Sequence, residues 1–161
     1  MERMYIALKP IGRVRSHIKN TPKPEYDWSD VVSEIEVLPL WQEGLFGLEH
    51  YSHITVIYWA HKATDRTKMA LRVRYRGDPA LPEVGVFASR SPYRPNPLCI
   101  KVAKLLSVDR NILQVRNLDA LDGTPVVDIK PFIPTNDAPI NAHVPDWNQH
   151  NHENTEHTAH I

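Results

Sequence analysis

Leu98-Cys99-Ile100-Lys101-Val102-Ala103-Lys104-Leu105-Leu106 is the stretch on which the fold turns. Its large apolar residues begin in alternation at Leu98, Ile100 and Val102, the period of a half-buried strand. The phase then slips at Lys104-Leu105, and a slip inside a strand pattern hints at a β-bulge. The flanking sequence reads the same way. Ser33 to Leu38 sets Ile35 and Val37 against Glu34 and Glu36, and Leu71, Val73 and Tyr75 alternate with Arg72, Arg74 and Arg76. Ile54 to Trp59 is almost continuously apolar and rich in β-branched and aromatic residues, which suits a central buried strand. Ile112 to Asn117 and Val126 to Lys130 supply two more strands. Tyr5 to Val14, broken by Pro10 and Gly12, is expected to supply the first.

Helix signals are few. Leu40 to Leu48 has room for a turn or one short helical segment, and no stretch carries a four-turn amphipathic pattern. The 14 prolines in 161 residues are nearly twice the usual share of about 5%, which disfavours long helices. Six or seven strands with Pro and Gly between them predict an all-β fold, a small antiparallel β-barrel with irregular loops and few short helical turns. The barrel domain is expected over residues 1–147. The polar stretch 148–161, with four of the nine histidines, reads as a disordered tail. Asn20 to Asp30, with Pro22 and Pro24, reads as a flap.

Composition removes several function classes. Hydrophobic residues are 42% and charged residues 24%, and 19 basic residues balance 19 acidic ones. That excludes wholesale disorder and a uniformly basic nucleic-acid coat, while leaving room for a local basic patch. Cys99 is the one cysteine, so neither an internal disulfide nor a cysteine-cluster zinc site is available. No apolar run reaches the roughly 18 residues that span a bilayer, and the N-terminus lacks a signal-peptide core. A cytoplasmic location without membrane attachment is expected. No glycine fingerprint, Walker A sequence, His-Glu-x-x-His pair or nucleophile elbow is present. No metal site is expected, His50 and His53 included.

Two segments are chemically dense. Gly85 to Ile100 places Pro92, Pro95 and Pro97 within six residues, making a stiff loop that loses little entropy on binding. Arg90 and Arg94 lie in it, and either guanidinium can pair with a carboxylate or phosphate. The second runs Leu118-Asp119-Ala120-Leu121-Asp122-Gly123-Thr124-Pro125-Val126-Val127-Asp128-Ile129-Lys130-Pro131. Asp122-Gly123 is a turn signal, and Asp128 shares a strand face with Lys130. Composition alone also allows a rigid connector in the first case, and turn chemistry with a surface ion pair in the second.

Together these segments resemble the signature of the TrmO-type family, also called TsaA-like or YaeB-like. Its pattern G-V-F-A-T-R-S-P-x-R-P-N-P-I-G is met by Gly85 to Leu98, with Cys99 at the final glycine. Its L-D-x-x-D-G-T-P-V-L-D-I-K-P-Y is met by Leu118 to Phe132. Gly12 to Ser16 and Gly47-Leu48-Glu49-His50-Tyr51-Ser52-His53 match two shorter family elements, and the likeness spans about residues 4 to 140.

The resemblance implies a non-Rossmann methyltransferase on a small β-barrel. It would use S-adenosylmethionine on the exocyclic nitrogen of threonylcarbamoyl-adenosine at position 37 of tRNA. A homodimer with the cofactor near the subunit interface is implied as well. Cofactor contacts would fall at His61, Lys62, Arg90, Ile100 and the run Arg116, Asn117, Leu118 and Asp119, with Asn96 in support. Asp122, Asp128 and His61 are the candidates for a proton acceptor, the two aspartates being taken as catalytic. Arg72, Arg74 and Arg76, spaced about 6.8 Å apart along a strand, would meet tRNA phosphates together with Arg94. Arg13, Arg15, Lys19 and Lys23 form a second basic cluster. Tyr26 and Trp28 would stack on a base or pack the flap on the barrel. Two other expectations stand beside this one: a methyltransferase of another small-molecule or RNA acceptor, and a non-catalytic S-adenosylmethionine-binding module.

Overall fold

The computed structural model describes residues 6–23, 25–63, 69–74 and 77–149. Six strands close into an antiparallel barrel: β1 (Gly12–Arg15), β2 (Val32–Val37), β3 (His53–Trp59), β6 (Leu98–Asp109), β7 (Ile112–Arg116) and β8 (Pro125–Pro131). Around the barrel the order is β1-β2-β7-β6-β3-β8, with β8 pairing back to β1. Closure leaves no free sheet edge. β4 (Arg72–Arg74) and β5 (Glu83–Gly85) form a separate two-stranded ribbon. The Arg72 strand therefore stands outside the barrel wall, and Tyr75 and Arg76 lie outside the described residues.

The interior follows the alternation of the sequence. Val14, Ile35, Val37, Ile54, Val56, Leu113, Val115 and Val126 are almost fully buried in one cluster. A six-stranded barrel has a narrow lumen that β-branched and small side chains fill. β6 departs from the expected phase. Cys99 pairs with Tyr58, Ala103 with Ile54 and Leu105 with Val115, so the odd-numbered residues face inward. Ile100 and Val102 instead face outward and stay exposed. The small Ala103 and Cys99 fit the lumen, and the bulkier aliphatics go outside. The register shifts between Leu105 and Ser107, making Leu106 the extra residue of the expected bulge.

The first strand is shorter than expected. It begins at Gly12, because Pro10 supplies no backbone donor. The Leu40 region forms a 3₁₀ segment, Pro39–Leu45, followed by a second, Leu48–His50. Two four-residue helices follow the barrel, Pro134–Asp137 and Asp146–Gln149. Asn148 thus belongs to a helix, and the rest of the expected tail from His150 on lies outside the described residues. Among the described residues no helix is long and apolar enough to cross a membrane.

Candidate functional site

At one end of the barrel β3 and β7 finish, and β2, β6 and β8 begin. The loops gathered there form a cleft. One part, about 220 Å³, is lined by Tyr58, His61, Lys62, Arg90, Tyr93, Cys99, Asp119 and Thr124, with Thr21, Pro22 and Trp28 of the flap. An adjoining part, about 330 Å³, shares Tyr58, Arg90, Cys99 and Asp119 and adds Phe87, Ser89, Arg94 and Ile100. Two motifs some thirty residues apart in sequence therefore line one space.

Each wall is fixed locally. In the proline-rich loop the Arg94 guanidinium donates to three main-chain carbonyls: Val86 at 2.9 Å, Ser89 at 2.8 Å and Ser91 at 3.0 Å. Arg94 thus holds the loop from within. Arg90 donates through Nη2 to the Ile100 carbonyl at 2.7 Å, which ties the loop to β6. A planar guanidinium keeps further donors when one is used this way.

The aspartate turn is anchored on the opposite side. Asn117 takes a left-handed φ of 65° and Gly123 one of 76°. The Asp122 carboxylate accepts from the Ser16 backbone N–H at 3.0 Å, and Gly123 N donates to the Val14 carbonyl at 2.8 Å. These bonds lash the turn to β1 and leave Asp119 facing the cleft.

Tyr58 and Thr124 are buried polar groups of the cleft lining. The Tyr58 hydroxyl donates to Asp119 Oδ1 at 2.7 Å and lies 3.2 Å from the Asp119 carbonyl oxygen. Burial, then the neighbouring Asp119 carboxylate, push the phenol well above its ordinary value. Tyr58 therefore stays a donor. Burial also raises the Cys99 thiol, so a small packed group rather than a thiolate stands where the family pattern has glycine. His61 is half-buried, and its Nδ1 lies 3.3 Å from the Thr124 hydroxyl. Burial, then Lys62, lower its pKa, with Asp122 pulling the other way. Lys62 reaches the Lys19 carbonyl, just before the flap. Tyr26 and Trp28 meet edge to face at 5.2 Å, and Trp28 packs as part of the lining.

His61, Lys62, Arg90, Ile100 and Asp119 thus share the cleft. Leu118 is wholly buried in the core, so only its backbone is available to a ligand. Arg116 sits on the outer face of β7 between Val32 and Lys104, its Nε buried and without a hydrogen-bond partner among the described residues. Asn96 is exposed on the loop and outside the lining. Asp122 lines a different groove of about 680 Å³ with Arg13, Arg15 and His17. Asp128 lines a third, about 650 Å³, with Trp41 and Phe46, and pairs with Lys130 at 2.8 Å. Both grooves are roomier than the cleft, but among the described residues neither is lined by a guanidinium without a carboxylate partner together with a hydrogen-bonded tyrosine–aspartate pair. Arg13 and Arg15 are engaged by Glu36 at 2.7 and 2.6 Å. Among the described residues no cluster of three or more His, Cys, Asp or Glu side chains can hold a metal.

Sequence reasoning passed over Tyr58 and Thr124. The signal for Tyr58 was its place in β3: Ile54, Val56 and Tyr58 share the inward face, so its hydroxyl ends the apolar ladder at the cleft.

A closed barrel with a guanidinium, a pinned carboxylate and aromatic rings converging at one mouth defines a β-barrel protein that binds a small charged ligand. Residues 14–138 match the family model of the tRNA-methyltransferase O N-terminal domain, and the chain belongs to that family. An S-adenosyl-L-methionine-binding protein of Archaeoglobus fulgidus is 48% identical over 129 residues, 79% of this chain and 89% of its own length. A second protein of that organism, named as a probable S-adenosyl-L-methionine-binding protein, is 43% identical over 88% of this chain, which spans 38% of that relative. The human tRNA (adenine(37)-N6)-methyltransferase is 36% identical over 73% of this chain, and the match covers 27% of the human protein. The crystal structure of TrmO from Pseudomonas aeruginosa superposes with a TM-score of 0.70 at 30% identity, covering 87% of this chain and 62% of that one.

Proposed function

We propose that the chain binds S-adenosylmethionine in this cleft and methylates the exocyclic nitrogen of threonylcarbamoyl-adenosine at position 37 of tRNA. The observation that carries the reading is the convergence of Arg90 and Asp119 in one lining. Relatives named for S-adenosyl-L-methionine binding support the cofactor, and the human relative's name supports the acceptor. The donor set fits. A guanidinium matches an α-carboxylate, a carboxylate matches an α-amine, and Tyr93, Ile100 and Trp28 offer apolar surface to an adenine. When bound, the cofactor supplies an electrophilic methyl group on a sulfonium.

The chain's own residues then orient and deprotonate. Arg90, tied to Ile100, holds the carboxylate end, and the stiff loop keeps it in place, so alignment supplies much of the rate. The acceptor nitrogen is a poor nucleophile, so a base assists. His61 is the one of the three proton-acceptor candidates in the lining, and burial, then Lys62, lower its pKa and favour the neutral ring that can take a proton. Asp122 acts on it through space. Asp128, paired to Lys130 in another groove, has no part in the step.

Arg72 and Arg74 lie on the first strand of the β4–β5 ribbon, whose second strand leads toward the Arg90 loop, and are taken as contacts for tRNA phosphates. Phe87 and Ile100 at the rim, with Val102 beyond, leave an exposed apolar strip. A second copy in the expected homodimer would cover it. Calorimetry with S-adenosylmethionine tests the cofactor assignment. Wild type binds saturably and Arg90→Ala weakens binding at least tenfold; no binding at millimolar concentration defeats the reading. Transfer of labelled methyl to tRNA carrying threonylcarbamoyl-adenosine, and not to tRNA lacking it, tests the acceptor.

A further inference from the structure

We propose that Tyr58 is a positioning residue that aims the Asp119 carboxylate at the α-amine of the ligand, so recognition of that amine depends on the Tyr58 hydroxyl. The inference rests on the cofactor reading above and adds a residue and a specificity to it. Asp119 is exposed on the loop after β7, where a carboxylate would ordinarily sample several rotamers. Tyr58 is 5% exposed, its ring set in the barrel core beside Cys99. The one hydroxyl meets the side chain at 2.7 Å and the main-chain oxygen of the same residue at 3.2 Å. That double contact fixes both the loop and the carboxylate rotamer. It engages Oδ1 of a carboxylate that lines the cleft. Among the described residues no ion pair joins Asp119 to Arg90, although both line the same space. The two charges are thus held apart, as binding a zwitterionic amino-acid end requires. Ordering the carboxylate before the ligand arrives lowers the cost of binding.

The test compares two ligands by calorimetry: S-adenosylhomocysteine, which has the amino-acid end, and 5′-methylthioadenosine, which lacks it. Tyr58→Phe keeps the ring and removes the hydroxyl. Losing a hydrogen bond to a charged group is expected to weaken S-adenosylhomocysteine about tenfold. Binding of 5′-methylthioadenosine should be unchanged. Asp119→Asn should show the same selectivity, and the double variant should be no weaker than Asp119→Asn, because both changes remove one contact. Equal weakening of both ligands, wild-type affinity in Tyr58→Phe, or additive losses would each overturn the proposal. If Tyr58→Phe does not fold, the ligand selectivity of Asp119→Asn decides it. Wild type that binds neither ligand removes the cofactor reading itself. Wild type that binds both, with Tyr58→Phe indistinguishable, removes this inference alone.

Discussion

Gly12 offers the sharpest test of how the barrel closes. It sits in β1 with Val37 of β2 on one side and Val126 of β8 on the other, where three strands meet. A Cβ at this position would lie 2.4 Å from the Glu36 carbonyl oxygen and 2.9 Å from Val37 Cα. Close carbon–oxygen contacts settle near 3.3 Å, so β1 and β2 would have to part by about 0.9 Å. The obstacle is backbone, and in a closed barrel it cannot swing aside as a side chain would. Overpacking typically costs about 1–3 kcal/mol, and the rigid obstacle puts Gly12→Ala at about 3 kcal/mol. For a chain of this size each kcal/mol lowers the melting temperature by about 2–4 °C. Gly12→Ala should therefore melt about 6–12 °C below wild type by circular dichroism. Its urea midpoint should fall while the slope stays the same. A melting temperature within about 2 °C of wild type would refute the close approach of the two strands.

Arg94→Lys should loosen the proline-rich loop as much as Arg94→Ala does, since an ammonium cannot span the three carbonyls. Amide exchange over residues 86–97 should quicken in both, and slow exchange in the lysine variant would count against the clamp. His61 gives a pH signature. The unfolded chain takes up a proton near pH 6.5 that the folded chain resists, so this contribution is complete above that pH and is lost as pH falls through the lower folded value. His61→Gln should flatten the fall in melting temperature between about pH 7.5 and 5.5, and an unchanged fall would exclude His61 as its source. Val102→Asp should turn a dimer into a monomer in sedimentation runs, and a wild type that sediments as a monomer would exclude the proposed interface.

Much of the fold was legible because the barrel repeats a rule of period two. Ile35 and Val37 point in and Glu36 points out, as a half-buried strand dictates. The rule failed where size outweighed polarity: Ile100 and Val102 looked like the inner face, but a narrow lumen takes Cys99 and Ala103 more readily. The Arg72 strand was also legible as a strand, although nothing local distinguishes a barrel strand from a detached ribbon. The motifs named Arg90 and Asp119, two of the side chains that line the cleft. Their convergence depends on barrel closure, and no spacing in the sequence reveals it. Tyr58 was hidden by its apolar neighbours, its hydroxyl mattering only once Asp119 is brought 2.7 Å away. Asp128, read from the sequence as a proton-acceptor candidate, pairs with Lys130 at 2.8 Å in a groove apart from the cleft, a separation no spacing in the sequence reveals.

The extra residue in β6 bears on how this chain can change length. Leu105 faces in, Ser107 out and Val108 in, with Leu106 unpaired between them. Deleting any residue from Leu98 to Leu105 would invert every side chain on one side of the cut. Deleting Leu106 would invert none; it would restore an unbroken ladder and straighten the strand. The position works as an expansion joint, where a residue can be gained or lost without re-reading the code of the barrel. It lies six residues from Ile100, about 20 Å along the strand. Lineages that trim or lengthen the far rim there would keep the Arg90 anchor where it is.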